Sequence, residues 1–179
     1  DLVTFLQKQE QLGKEGYWTE KAMKTGKIED SNPNIIAIWK DIGLYGCITN
    51  PVQGKNGLYA AGGDQTAWCM GFINYTLKQC GYRYVQEAGA RAIAANPSRW
   101  HATKVNTADA QPGDIVLWDF GHVNFVYTAQ SGKLTFVGGN QSPKVKGNNP
   151  NDGDVTQSWP SGWTSSRGGI VGIFRPSKT

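Results

Sequence analysis

Apolar positions in this chain follow a helical spacing up to about residue 95 and a strand-like pattern after residue 110. Residues 1–12 place Leu2, Phe5, Leu6 and Leu12 on a helix that Gly13 stops. Residues 13–31 are polar and contain glycine, and read as a loop. Asn32-Pro33 is an N-cap followed by proline at the first helical position, and Ile35, Ile36, Trp39 and Ile42 continue the spacing to Gly43. Residues 45–65 form a turn-rich connection. The strongest helix starts at Cys69, with apolar or small residues at 69, 72, 73, 76, 77 and 80 on one stripe. Thr66 is placed to cap it and Gly81 to end it. A short helix over 86–95 is broken by Asn96-Pro97.

Past Pro112-Gly113-Asp114, short β-rich runs appear at 115–118, 122–128, 134–137 and 169–174. Helices first and strands afterwards predict an α+β fold, with N-terminal helices packed on a C-terminal antiparallel sheet. Residues 141–168 are rich in Gly, Asn, Pro and Ser and read as one long loop, of the kind that carries function. Gln130-Ser131-Gly132 suits a three-residue hairpin loop with glycine last. Opposed residue numbers then sum to 262, which sets His122 directly across from Asn140.

At 179 residues the chain is expected to form one domain, 1–179, with a real core. Its 39% hydrophobic and 18% charged residues exclude disorder throughout, and it lacks the apolar run that a membrane span needs. A net charge of +4 favours a polyanionic surface, but the lysines are scattered and form no basic helix, so no nucleic-acid partner is expected. Asp1-Leu2-Val3-Thr4 has neither an initiator Met nor a charged-then-apolar leader, so the chain is expected to be a trimmed or processed one in which a targeting signal would not be visible.

Three cysteines and two histidines limit the chemistry. Cys69 falls in the first turn of its helix, where unpaired backbone N–H groups favour a thiolate. The same position suits a small buried hydrophobe, so a base must be found. His122 follows a glycine at the head of an apolar strand, where sites form at sheet ends. His101, in a loop after Trp100, has no such setting. Asn140, opposite His122, can hold one imidazole nitrogen and leave the other toward Cys69, a Cys–His–Asn arrangement. Asp119 and Asn124 are substitutes for that third role. The backbone N–H of Cys69 and the side chain of Gln65 are candidate donors to an oxyanion. Cys47 and Cys80 can pair in an oxidising compartment, but Cys69 and Cys80 cannot, since eleven helical residues span roughly 16 Å. Reduced thiols are expected.

The segments SNPNIIAIWKDIGLYG, QTAWCMGFINYTLKQCGY, PGDIVLWDFGHVNFVY and FVGGNQS, in this order, resemble the papain-like cell-wall amidases and peptidases of the NlpC-type and CHAP (cysteine- and histidine-dependent amidohydrolase/peptidase) superfamily, in its phage endolysin and bacterial lytic branch. The resemblance implies Cys69 as nucleophile, His122 as general base and Asn140 as the residue orienting it. Two departures stand out: many CHAP members carry an acidic third residue where this chain has Gly139-Asn140, and Trp68 and Met70 flank Cys69 where NlpC-type members usually have Asp and Ser. It further implies bacterial peptidoglycan as substrate, cut at a stem-peptide or crosslink amide or at the muramoyl–alanine bond. Action would be in the periplasm or cell wall after secretion or phage lysis, by a monomer without cofactor or metal. A secreted antibacterial effector would also need an immunity protein. Trp68, Trp159 and Trp163 are expected to face substrate, the last two from the long loop with Lys144, Lys146 and Arg167.

Three other readings stay open. A zinc amidase commonly draws two or three histidines among its ligands, and the two here stand 21 residues apart with no metal-binding spacing. A lysozyme-like glycoside hydrolase would draw an acid from Glu15, Glu20 or Glu29. A non-catalytic wall-binding module would use the seven tryptophans.

Overall fold

The fold is described from a computed structural model. It describes residues 1–22, 24–49, 52–53, 60–130, 132–141, 154–158 and 169–178, with backbone alone at 52–53, 60–61 and 154–158. The order is α1 (Leu2–Lys14), α2 (Pro33–Asp41), β1 (Val52–Gln53), β2 (Ala60–Ala61), α3 (Cys69–Gln79), α4 (Ala92–Ala95), β3 (Ala102–Val105), β4 (Ile115–Trp118), β5 (His122–Gln130), β6 (Lys133–Gln141), β7 (Asp154–Ser158) and β8 (Ile170–Pro176). The fold is α+β. β1 and β2 pair as a separate ribbon, and the other six strands form an antiparallel sheet in the order β3-β8-β4-β5-β6-β7.

Local chemistry accounts for the helices. Asp1 caps α1, its carboxylate accepting from the N–H groups of Val3 and Thr4, and the helix runs through Gly13 to Lys14. Asn32 caps α2 as its N-P signature predicts, and Gly43 follows with φ +80°. α3 begins at Cys69 with Trp68 at its cap position and no side-chain cap, so Thr66 does not play that part. Gly81, at φ +79°, ends it. Only 92–95 of the expected 86–95 helix forms. Asn74 of α3, fully buried, ties down the stretch between: its Oδ1 accepts from Val85 N and Trp100 Nε1, and its Nδ2 donates to Glu87 O.

The sheet is buried on both faces. Ile115, Leu117, Val123, Phe125 and Val137 join residues of α1, α2 and α3 in the main core. Val116, Trp118, Val126, Phe136 and Ile173 form a second cluster on the other face. α3 is the central helix, with Cys69 through Asn74 all buried. The segment read as a polar loop at 13–31 also contributes to the core, since Trp18 and Ala22 are buried.

Three strand expectations need correction. β3 was not legible as a strand, and β7 lies inside the stretch expected to be one loop. The β5–β6 hairpin pairs Gln130 with Lys133, a two-residue connection rather than three. An irregularity between Val126 and Thr128 then restores the sum of 262 at Val126↔Phe136 and Phe125↔Val137.

Candidate active site

Cys69 opens α3, and its thiol is almost wholly buried. Burial pushes the thiol pKa up; the backbone N–H groups of Val123, Met70 and Cys69 itself, which face the sulfur, pull it down without cancelling that rise. Two of these donors are orphan groups of a helix start. The third belongs to the residue after His122, so the sulfur reaches the head of β5. Cys69 and the residue that follows His122 thereby meet, from two elements far apart in sequence. His101 stands elsewhere, exposed, at the start of β3.

His122 is 7% exposed and is paired across β4 with Trp118. Its ring stacks on that of Phe120, the planes 2° from parallel and the centroids 5.7 Å apart. Its Nε2 is 2.9 Å from Oε1 of Gln141. A chain of hydrogen bonds decides which nitrogen carries the proton. The indole of Trp118 can only donate, and it donates to Oδ1 of Asn124 at 2.9 Å. The Nδ2 of Asn124 therefore faces Gln141 and donates to its Oε1 at 3.0 Å. That oxygen is an acceptor, so Nε2 of His122 is the donor, and in the neutral ring Nδ1 is the basic nitrogen.

Asn140 does not make the contact expected of it; Gln141 does. Asn140 has φ +58°, a left-handed conformation that Asn tolerates better than most residues. β6 gains one residue relative to β7 there: Gly138 pairs with Thr156 and Gln141 with Asp154. This bulge brings the Gln141 side chain to the face that Asn140 would have occupied in a regular strand. Two glycines make room. A methyl group on Gly138 would stand 2.7 Å from Gln141 Oε1, and one on Gly139 would stand 2.6 Å from Phe72 Cβ and 2.7 Å from the Trp68 ring. Of the substitutes, Asn124 acts one step behind Gln141, while Asp119 offers its backbone carbonyl to Arg91.

Trp68 is not a substrate platform. It is fully buried, packs against Trp18 and Phe72, and its Nε1 donates to Glu20 Oε1 at 2.7 Å. Gln65 Nε2 donates to Glu20 Oε2 at 3.1 Å and Asp64 Oδ1 at 3.2 Å, so both amide protons are committed to carboxylates. That leaves Gln65 no proton for an oxyanion. Asp64, fully buried, also accepts from the N–H groups of Lys21, Ala22 and Asn32. These bonds fasten Glu20, Lys21, Ala22 and Asn32 to the loop that leads into Cys69. Glu20 accepts at both carboxylate oxygens, from Gln65 at Oε2 and from Trp68 at Oε1. Glu15 and Glu29 are exposed.

Trp159, Trp163, Lys144, Lys146 and Arg167 lie outside the described residues. The three cysteines are unpaired. Among the described residues, no group of three or more His, Cys, Asp or Glu side chains is placed to hold a metal ion, and no helix is long and apolar enough to cross a membrane.

Comparison with known proteins points the same way as this geometry. Residues 61–140, from the end of β2 almost to the end of β6, match the CHAP domain family. The chain is 34% identical over 68 residues to the probable endopeptidase p60 of Listeria seeligeri, a match that covers 38% of this chain and 12% of that protein. No solved structure matches the chain. The two matches support the CHAP/NlpC-type family of peptidoglycan-hydrolysing peptidases and amidases. Gln141 lies one residue beyond the matched stretch; the local signal for it was Asn140, a residue tolerant of positive φ, before a glutamine.

Proposed function

We propose that this chain is a cysteine hydrolase that cleaves amide bonds in the peptides of bacterial peptidoglycan, as an endopeptidase rather than at the muramoyl–alanine bond. The observation that carries the reading is the Cys69 sulfur at the start of α3 facing the N–H of Val123, next to a histidine whose tautomer is set by Gln141. The CHAP match supplies the substrate class, and the name endopeptidase in the p60 relative favours a peptide bond.

The Cys69 sulfur attacks the amide carbonyl, forming an S–C bond, and its proton passes to Nδ1 of His122. The N–H groups around the sulfur favour the anion as it forms. The backbone N–H of Cys69 is assigned to the oxyanion. The C–N bond breaks as the imidazolium protonates the leaving amine. Water, deprotonated by His122, then hydrolyses the thioester and restores the thiol. Gln141 holds the ring through this cycle, replacing Asn140 in that role. The enzyme acts in the periplasm or cell wall.

Digestion of purified peptidoglycan tests this. Mass spectrometry should show new peptide amines with the parent protein and none with Cys69→Ala. New reducing ends in place of amines would overturn the reading.

A further inference from the structure

The turn Asp119-Phe120-Gly121 joins β4 to β5 and ends at His122. It is held from two sides: Asp119 N donates to Gly169 O at 2.9 Å, and Arg91 Nη2 donates to Asp119 O at 2.9 Å. Gly121 has φ +90°, and a methyl group there would lie 3.3 Å from that same Arg91 nitrogen. The guanidinium is therefore within about 9 Å of the His122 Cα, counting one Cα–Cα step. Arg91 is exposed. Arg99 and Arg175 each meet a carboxylate, whereas among the described residues Arg91 forms no ion pair. One of its five donors fixes it to the backbone, and the planar fork carries further donors of the kind that meet a carboxylate. In the same turn Phe120, 38% exposed, stacks parallel to the imidazole of His122 with centroids 5.7 Å apart and sets an apolar surface next to it.

We propose that Arg91 and Phe120 form a specificity site for a peptide bearing a free carboxylate on the amine half of the scissile bond. The inference rests on the Cys69–His122 reading and deepens it. His122 delivers the proton to the leaving amine, so groups flanking its ring meet that half of the substrate. Phe120 covers the peptide's apolar atoms and Arg91 takes the carboxylate. The backbone bond to Asp119 pre-orders the guanidinium, so less freedom is lost on binding.

The test compares native peptidoglycan with peptidoglycan whose carboxylates have been converted chemically to carboxamides, scored by amine release. The parent should cut the native form faster by roughly three- to thirtyfold, the range between an exposed ion pair and a shielded charge-assisted one. Arg91→Ala should remove most of that preference, acting mainly on KM, and Arg91→Lys should restore part of it. An Arg91→Ala protein that keeps the parent's preference overturns the site while leaving the cysteine mechanism standing. No amine release by the parent from native peptidoglycan overturns the underlying reading and the site with it.

Discussion

Gly138 and Gln141 compete for one volume: a side chain on Gly138 would begin 2.7 Å from the Oε1 that accepts from His122. The same methyl would stand 2.6 Å from Asn124 Cβ, whose position the sheet fixes. The empty side-chain position is thus what lets a glutamine three residues on fold back over β6 and reach the histidine.

Gly138→Ala should therefore lose both stability and activity. Overpacking beside a strand costs about 1–3 kcal/mol. For a chain of this length that is a fall of roughly 2–12 °C in Tm. Thermal melting and amine-release assays on the same preparation check it. A fully active, unshifted Gly138→Ala would mean that Gln141 does not need this seat.

Gln141→Ala should lower kcat by roughly ten- to a hundredfold with little change in KM, as loss of an outer hydrogen-bond partner does at other sites. Asn140→Gly should stay within about threefold of the parent, since glycine adopts φ +58° readily. Trp118→Phe, which removes the donor that orients Asn124, should lower kcat in the same direction but less. The opposite ranking of 140 and 141 would return the orienting role to Asn140.

The Cys69 thiol, raised by burial, should be mostly neutral at rest. Peptide-resolved alkylation by iodoacetamide should climb above about pH 8.5, the ordinary thiol value, instead of levelling off in acid. Stability follows the same sign. The unfolded chain releases the proton first as pH rises, so this contribution is full below about pH 8.5 and declines above it. The loss of Tm between about pH 8 and pH 10 should be smaller in Cys69→Ser than in the parent. An alkylation plateau already reached near pH 6 would show a preformed thiolate instead.

Glu20→Gln places an amide where two donors, Trp68 Nε1 and Gln65 Nε2, need acceptors. A buried mismatch of this kind costs about 1–3 kcal/mol. Melting should show the loss, while the products of digestion should stay peptide amines. Complete loss of activity at unchanged stability, with reducing ends as the parent's product, would instead make Glu20 a glycosidase acid.

How far the sequence could be read differs from residue to residue. Cys69 was legible because six positions on one stripe place a helix, and a helix start is a local feature. His122 was legible because a lone polar residue heads an apolar strand. The exchange of Asn140 for Gln141 was not, because it depends on a bulge that pairing with β7 reveals, and β7 sits in a stretch whose composition reads as loop. The hairpin arithmetic placed His122 opposite position 140 through two errors that offset each other, a loop one residue too long and an unseen irregularity near Tyr127. Trp68 was misread because an aromatic beside a nucleophile suggests a substrate wall; its burial follows from Trp18 and Glu20, in a segment whose polarity hid its place in the core. Asp64 gave no sequence signal at all, since the backbone groups that donate to it lie more than thirty residues away.

Acyl transfer through sulfur is the claim on which the rest depends, and a covalent intermediate tests it most directly. The parent protein, mixed with peptidoglycan fragments and quenched in acid within the first turnovers, should carry a peptide as a thioester on Cys69 when mapped by mass spectrometry, and His122→Ala should greatly slow its formation. Amine release that proceeds with no adduct on Cys69, and that persists in Cys69→Ala, would contradict the account.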